Sequence, residues 1–252
     1  MSWRHYLLAL FIFCAVEEST AQQTVPENVL FIGNSYTYFW NLPQLVEIMC
    51  ESQSIDLKTR QSTSGGVSLG THWRGERFLQ SAEKIKSEQF DAVVFQDHSR
   101  RSIDHPDSLL YFGKLWCDLA QKHQAETYLY MTWARAWNPL MQEKITAGYQ
   151  KLAAMTQSKI VPVGPAWAYA KTLRPDLQLY DPDGSHPSTI GTYLSACVFF
   201  AVLTGKSPVG LPARLVTKDK NNDPLYLMII SPNDAQFCQE VADKIVKKMK
   251  AQ

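Results

Sequence analysis

The sequence predicts an α/β protein: three α/β/α layers around a doubly wound, mostly parallel sheet of five strands. Two observations carry this expectation. Short apolar runs, of the kind buried on both faces of a parallel sheet, recur at residues 29–32, 91–95, 127–131 and 160–163. Between them lie longer stretches whose apolar residues fall at helical spacing, and strands alternating with helices in one chain build crossover-connected parallel sheets. The 252 residues, 45% hydrophobic and 19% charged, suit one domain whose core needs no metal or disulfide staple.

The elements follow in order. The first run stops at Gly33. After a polar and aromatic loop, Leu42, Leu45, Val46 and Met49 share a helical face, with Asn41 as the N-cap and Pro43 in the first turn. A second strand is expected at 55–60, a loop over 62–70 carrying Gly65 and Gly66, and a helix over 71–88. The strand at 91–95, a helix over 108–123, the strand at 127–131, a helix over 139–157 and the strand at 160–163 complete the alternation. Ser188 caps a helix with Ile190, Leu194, Cys197, Val198, Ala201 and Val202 on one face, and Gly205 stops it. Residues 211–231, with Asn221-Asn222-Asp223 between two apolar stretches, form a peripheral hairpin. An amphipathic helix over 236–250, lysine-rich at its end, closes the chain.

Residues 1–21 read as a signal peptide that is not part of the fold. Arg4 and His5 open it, residues 7–16 are apolar, and Ser19-Thr20-Ala21 supplies the small residues a signal peptidase reads. The run is too short for a stable membrane span. Phe11-Ile12-Phe13 before Cys14 lacks the small residues of a lipoprotein signal, so the expectation is a released, exported protein with a single domain over 22–252. Export permits disulfides among Cys50, Cys117, Cys197 and Cys238, but their positions on helical faces fit buried thiols better. No C-x-x-C pair suggests a metal site. With 25 Lys+Arg against 24 Asp+Glu, and no basic run longer than a pair such as Lys247-Lys248, nucleic acid is excluded as a partner. The same near-neutrality fits a neutral substrate better than a polyanion.

In an open α/β sheet the ligand crevice lies beyond the carboxyl ends of the strands. Gly33-Asn34-Ser35 arrives there from the first strand, with Ser35 projecting a hydroxyl over the sheet edge. Residues 181–187 (DPDGSHP) cannot be helical, because Pro182, Gly184 and Pro187 interrupt them. In such a turn Asp183 reaches the Nδ1 proton of His186 and leaves Nε2 free as a base for Ser35.

With these segments the chain resembles the SGNH (GDSL-like) hydrolases over most of its length. Phe31-Ile32-Gly33-Asn34-Ser35 is similar to the first block of that family, with Asn34 where the commoner form has Asp, and Asp183-Gly184-Ser185-His186 to its last. The resemblance implies a flavodoxin-like fold, a Ser35-His186-Asp183 triad and no cofactor. It also implies an oxyanion hole from the N–H groups of Ser35 and Gly66, with Gly65 as the neighbouring choice. The third block departs from the family's Gly-x-Asn-Asp: this chain reads Phe95-Gln96-Asp97-His98-Ser99. Gln96 is the simplest substitute for the Asn donor, and an alignment counted from the glycine puts His98 there instead. Asp97 reads as a structural acceptor. The segments Thr132-Trp133-Ala134-Arg135 and Gly164-Pro165-Ala166-Trp167 are similar to those of a divergent, exported bacterial branch of unassigned function.

Around this centre Tyr36, Tyr38, Phe39 and Trp40 are placed to shape an acyl pocket, and Tyr36, Trp73, His98, Trp133 and Arg135 are candidate substrate contacts. His72, Trp137 and Trp167 join Trp73 and Trp133 as a possible sugar-stacking wall, or pack in the core. Arg135 either holds a substrate carboxylate, pairs with an acid of the site, or lies exposed. The expected activity is an exported serine esterase that removes acetyl or another short acyl group, from a carbohydrate or other small-molecule ester. A lipid or thioester hydrolase with the same triad, and a catalytically silent carbohydrate-binding module, are the competing readings.

Overall fold

The computed structural model describes Met1 and residues 24–251; apart from Met1, the expected signal segment lies outside the described residues. The chain runs β1 (Asn28–Gly33), α1 (Ser35–Tyr38), α2 (Leu42–Glu51), β2 (Lys58–Thr63), α3 (Leu69–Trp73), α4 (Ser81–Ser87), β3 (Ala92–Phe95), α5 (Arg101–Asp104) and α6 (Pro106–Lys122). It continues through β4 (Glu126–Tyr130), α7 (Met141–Thr156), β5 (Lys159–Val161), α8 (Val163–Leu173), α9 (Thr189–Thr204), β6 (Arg214–Lys218), β7 (Pro224–Ile229) and α10 (Pro232–Lys250).

Five strands form one parallel sheet in the order β2-β1-β3-β4-β5. Because side chains alternate along a strand, each apolar run feeds both faces. Phe31, Val94 and Tyr130 join one core with α2, α8, α9 and α10. Ile32, Phe95 and Leu129 join the other with α3, α4, α6 and α7. Helix α9 is apolar all round and correspondingly buried between the sheet and α10. Ser188 caps it by accepting from the Gly191 N–H at 3.1 Å, and Gly205 ends it in the left-handed region. The expected hairpin is present as β6 and β7, antiparallel with a bulge at Leu215/Val216. All four cysteines of the described chain are buried free thiols. No described helix is long and apolar enough to cross a membrane.

Four expectations need correction. The second strand lies at 58–63, not 55–60, because Ser54 turns left-handed and Ile55 donates its N–H to the Cys50 carbonyl, so these residues finish α2. The single helix expected over 71–88 is two short ones, since Gly75, Arg77 and Phe78 all take positive φ between α3 and α4. Asn41 makes no side-chain cap on α2; it sits left-handed at φ 55°. Val163 opens a helix rather than ending a strand: α8 tolerates Gly164 and Pro165 because the first turn's N–H groups have no intrahelical partner to lose.

Phe199 on α9 contacts Phe31 and Tyr130, with ring centroids 5.3 Å and 4.8 Å away, and is fully buried. Phe199→Ala is expected to destabilise the fold by about 3–5 kcal/mol, read from the shift in a urea unfolding curve.

Candidate active site

The strand order reverses direction between β1 and β3, and both strands deliver their C-terminal residues to that crevice. Ser35 follows β1 as the first residue of α1. Asn34 caps this turn: its Oδ1 accepts from the Tyr36 N–H at 3.1 Å, while its Nδ2 donates to the Val67 carbonyl at 2.9 Å. An aspartate, having no donor when ionised, could do only the first, which accounts for asparagine here. The adjoining loop is pinned again where Arg77 Nη1 donates to the Gly65 carbonyl at 2.7 Å, and Gly66 between these ties adopts φ +69° at the cleft.

The second half of the site is the turn before α9. It closes through Gly184 N–H to the Asp181 carbonyl and Asp181 N–H to the His186 carbonyl, both 2.9 Å, with Gly184 at φ +64°. Asp183 Oδ1 accepts from the N–H groups of Ser185 and His186 at 2.9 Å each. Its Oδ2 lies 2.5 Å from His186 Nδ1, and His186 Nε2 lies 2.9 Å from Ser35 Oγ. Burial opposes ionisation of Asp183, but the hydrogen bonds from His186 and Ser185 outweigh it and hold the carboxyl below its ordinary range. An ionised Asp183 only accepts, so the imidazole proton sits on Nδ1 and Nε2 is free to take the Ser35 proton. Phe39 stacks on the His186 ring at 4.3 Å, and Trp40 Nε1 donates to the Pro187 carbonyl at 2.9 Å. The aromatic run following Ser35 therefore holds His186 as well as bordering the cleft.

The cleft has a volume of about 580 Å³ and opens beside Ser35, Gly66, His98, Arg135, Trp137 and His186. Tyr36 borders it while stacking on Trp133 at 4.5 Å, and its hydroxyl lies 2.8 Å from Ser185 Oγ. Burial raises the Tyr36 pKa, so the phenol stays neutral. His98 is half-buried; its Nδ1 accepts from the Arg100 N–H at 3.4 Å, which leaves the proton on Nε2. Burial and then the Arg101 and Arg135 charges lower its pKa and favour the neutral ring.

Gln96 does not face the cleft. It is fully buried, its Oε1 accepting from the Asn34 N–H at 2.8 Å and the Thr37 hydroxyl at 2.9 Å, and its Nε2 donating to the Asp97 carbonyl. Buried with its Nε2 turned to the Asp97 carbonyl, it does not line the cleft where the oxyanion donor was expected. Trp73 packs edge-on against Trp116 away from the cleft, and Trp133 and Trp167 are buried in a parallel stack 3.9 Å apart. His72 is buried between Ser81 and the Gly33 carbonyl. Of the proposed aromatic wall, Trp137 alone borders the cleft and is exposed. Asp97 is buried, and its Oδ1 accepts from the Leu69 and His98 N–H groups. Ser99 and Ser185, which sequence reasoning passed over, also line the site; as serines in turns they carry no distinguishing signal.

The sheet order and the position of the relay define a flavodoxin-like α/β protein with its site at the switch point. No family model matches the sequence, and no curated protein matches it. Solved structures do. A DUF4886 family protein from Bacteroides uniformis matches with a TM-score of 0.71 at 21% identity, over 87% of this chain and 94% of that one. A candidate SGNH hydrolase from Slackia heliotrinireducens matches with 0.59 at 21% identity, over 70% and 98%. The acetyl xylan esterase AlAXEase matches with 0.58 at 14% identity, over 69% and 98%. The chain has the fold of the SGNH (GDSL-like) hydrolases.

Gln96→Ala strands the Asn34 N–H and the Thr37 hydroxyl without an acceptor in a dry place. It is expected to cost about 1–3 kcal/mol of stability, measured by urea denaturation; an unchanged midpoint would show that the carboxamide ties nothing together.

Proposed function

We propose that the protein is an exported serine esterase that hydrolyses short-chain acyl esters, acetyl esters foremost, on a carbohydrate. One observation carries the reading: the Ser35-His186-Asp183 relay at hydrogen-bond distances, at the switch point of a sheet whose fold is shared with esterases.

Ser35 Oγ attacks the ester carbonyl as its proton passes to His186 Nε2, and Asp183 orients and stabilises the imidazolium. The alcohol leaves with that proton. A water, deprotonated by the same histidine, then hydrolyses the acyl-enzyme. The developing oxyanion takes hydrogen bonds from the N–H groups of Ser35 and Gly66 and, with Gln96 turned into the core, from His98 Nε2–H. A neutral imidazole is suited to this, since it donates without being a competing acid.

The short acyl group is supported by an acetyl xylan esterase among the solved structures that share the fold, and by the Tyr36-Trp133-Trp167 stack, which walls the cleft beside Ser35. A carbohydrate is supported by the exposed Trp137 ring at the cleft, a flat surface for a sugar face. Export rests on the sequence of residues 1–21.

A fluorophosphonate probe is expected to label the wild-type protein and not Ser35→Ala, and p-nitrophenyl acetate is expected to turn over faster than the octanoate. Preference for the longer chain would favour a lipid substrate, and an unlabelled wild type would leave a binding module. His98→Ala should lower kcat by roughly a hundredfold, about 3 kcal/mol, with little change in KM, as loss of an oxyanion donor does.

A further inference from the structure

Arg135 occupies the cleft without an acid of the protein to hold. Arg74, Arg100, Arg101 and Arg174 each have a carboxylate within 4 Å. Arg135 has none among the described residues, as is also true of Arg60, Arg77 and Arg214, but of these four only Arg135 lines the cleft beside Ser35. Its one hydrogen bond runs from Nη2 to Ser99 Oγ at 2.7 Å, and its Nε is buried with no hydrogen-bond partner. The guanidinium carbon lies 5.7 Å from the ring centroids of both Tyr36 and Trp137. Two aromatic faces and a serine thus fix the head beside Ser35, so little side-chain entropy is lost when it binds an anion.

The surroundings leave this charge unanswered. Among the described residues the sole acid bordering the cleft is Asp183, which is committed to His186. The hollow sharing Gly66 and His98 with the cleft is lined by Arg100, Arg101, Asp104 and His105; its acid pairs with Arg100 at 2.9 Å, and Arg101 lies 3.8 Å from Asp97, so neither acid is free for Arg135. A half-buried guanidinium with unused N–H groups matches a carboxylate's paired oxygens, and a neutral sugar would leave it unpaired. We propose that Arg135 binds a carboxylate of the substrate, so that the ester cleaved at Ser35 is carried by an acidic sugar of the uronate type. This rests on the esterase reading for the reaction and on the Arg135 geometry for the substrate class. It replaces the neutral substrate suggested by the whole-chain charge, since one local cation decides recognition where the net balance does not.

Binding can be read without turnover in the Ser35→Ala protein, by calorimetric titration with an acetylated methyl glucuronide and the matching acetylated methyl glucoside, which differ by a carboxylate against a hydroxymethyl group. The glucuronide is expected to bind at least about tenfold more tightly, as a charge-assisted bidentate contact provides. Adding Arg135→Gln should erase the difference, and Arg135→Lys should keep part of it; circular dichroism checks that both fold. Equal affinity for the two sugars, binding of neither, or a preference that survives in folded Arg135→Gln overturns the assignment. Wild-type turnover of the same pair reports on the esterase separately: tighter glucuronide binding without any hydrolysis upholds the anion site and removes the esterase reading.

Discussion

The carboxamide of Gln96 joins the ends of β1 and β3 at the place where the two halves of the sheet part. Its oxygen takes the N–H of Asn34 and the hydroxyl of Thr37, on either side of Ser35, and its nitrogen holds the backbone of the next loop. Such a bond is worth only about 1 kcal/mol net, but it cannot be lost cheaply once water is excluded. Gly33 is required for the same reason: a Cβ there would come within 2.3 Å of Thr37 Oγ1 and 2.6 Å of Gln96 Oε1. The position of Ser35 is thus set by what lies beneath it in the core.

From this anchor the site extends through aromatic rings. Tyr36, Trp133 and Trp167 form a continuous stack, with interplanar angles of 4° at both junctions. Trp133 Nε1 donates to the Ser185 carbonyl and Trp167 Nε1 to Ser195 Oγ, so each buried indole also fastens a segment to the stack. The serine and histidine, 151 positions apart in the chain, are held at contact distance by packing that reaches from α1 through α8 to α9.

Where local pattern and global fold agree, the sequence was readable. The runs of β1, β3 and β4 and the caps of α9 follow from periodicity and turn chemistry alone. The errors share a cause, which is backbone or side-chain direction that composition does not encode. Left-handed Arg77 and Phe78 split a helix that their residue types would continue, and Pro165 reads as a breaker unless its place in a first turn is known. The pairing of Asp183 with His186 was legible in their spacing because a three-residue turn brings Asp to His, and the place of Ser35 in its following the end of β1. The place of Gln96 just after β3 was legible, but which way its side chain turns depends on the Asn34 N–H that its Oε1 accepts, a tertiary fact.

The buried thiols have a consequence for handling the molecule. Cys50 and Cys238 are pushed up to about 12, chiefly by burial, and burial likewise raises Cys117 and Cys197. Thiol exchange proceeds through the thiolate, so these sulfurs are inert while the fold is intact. Among the described residues the fold thus rests on no disulfide, so a reductant in the buffer has no cross-link there to remove.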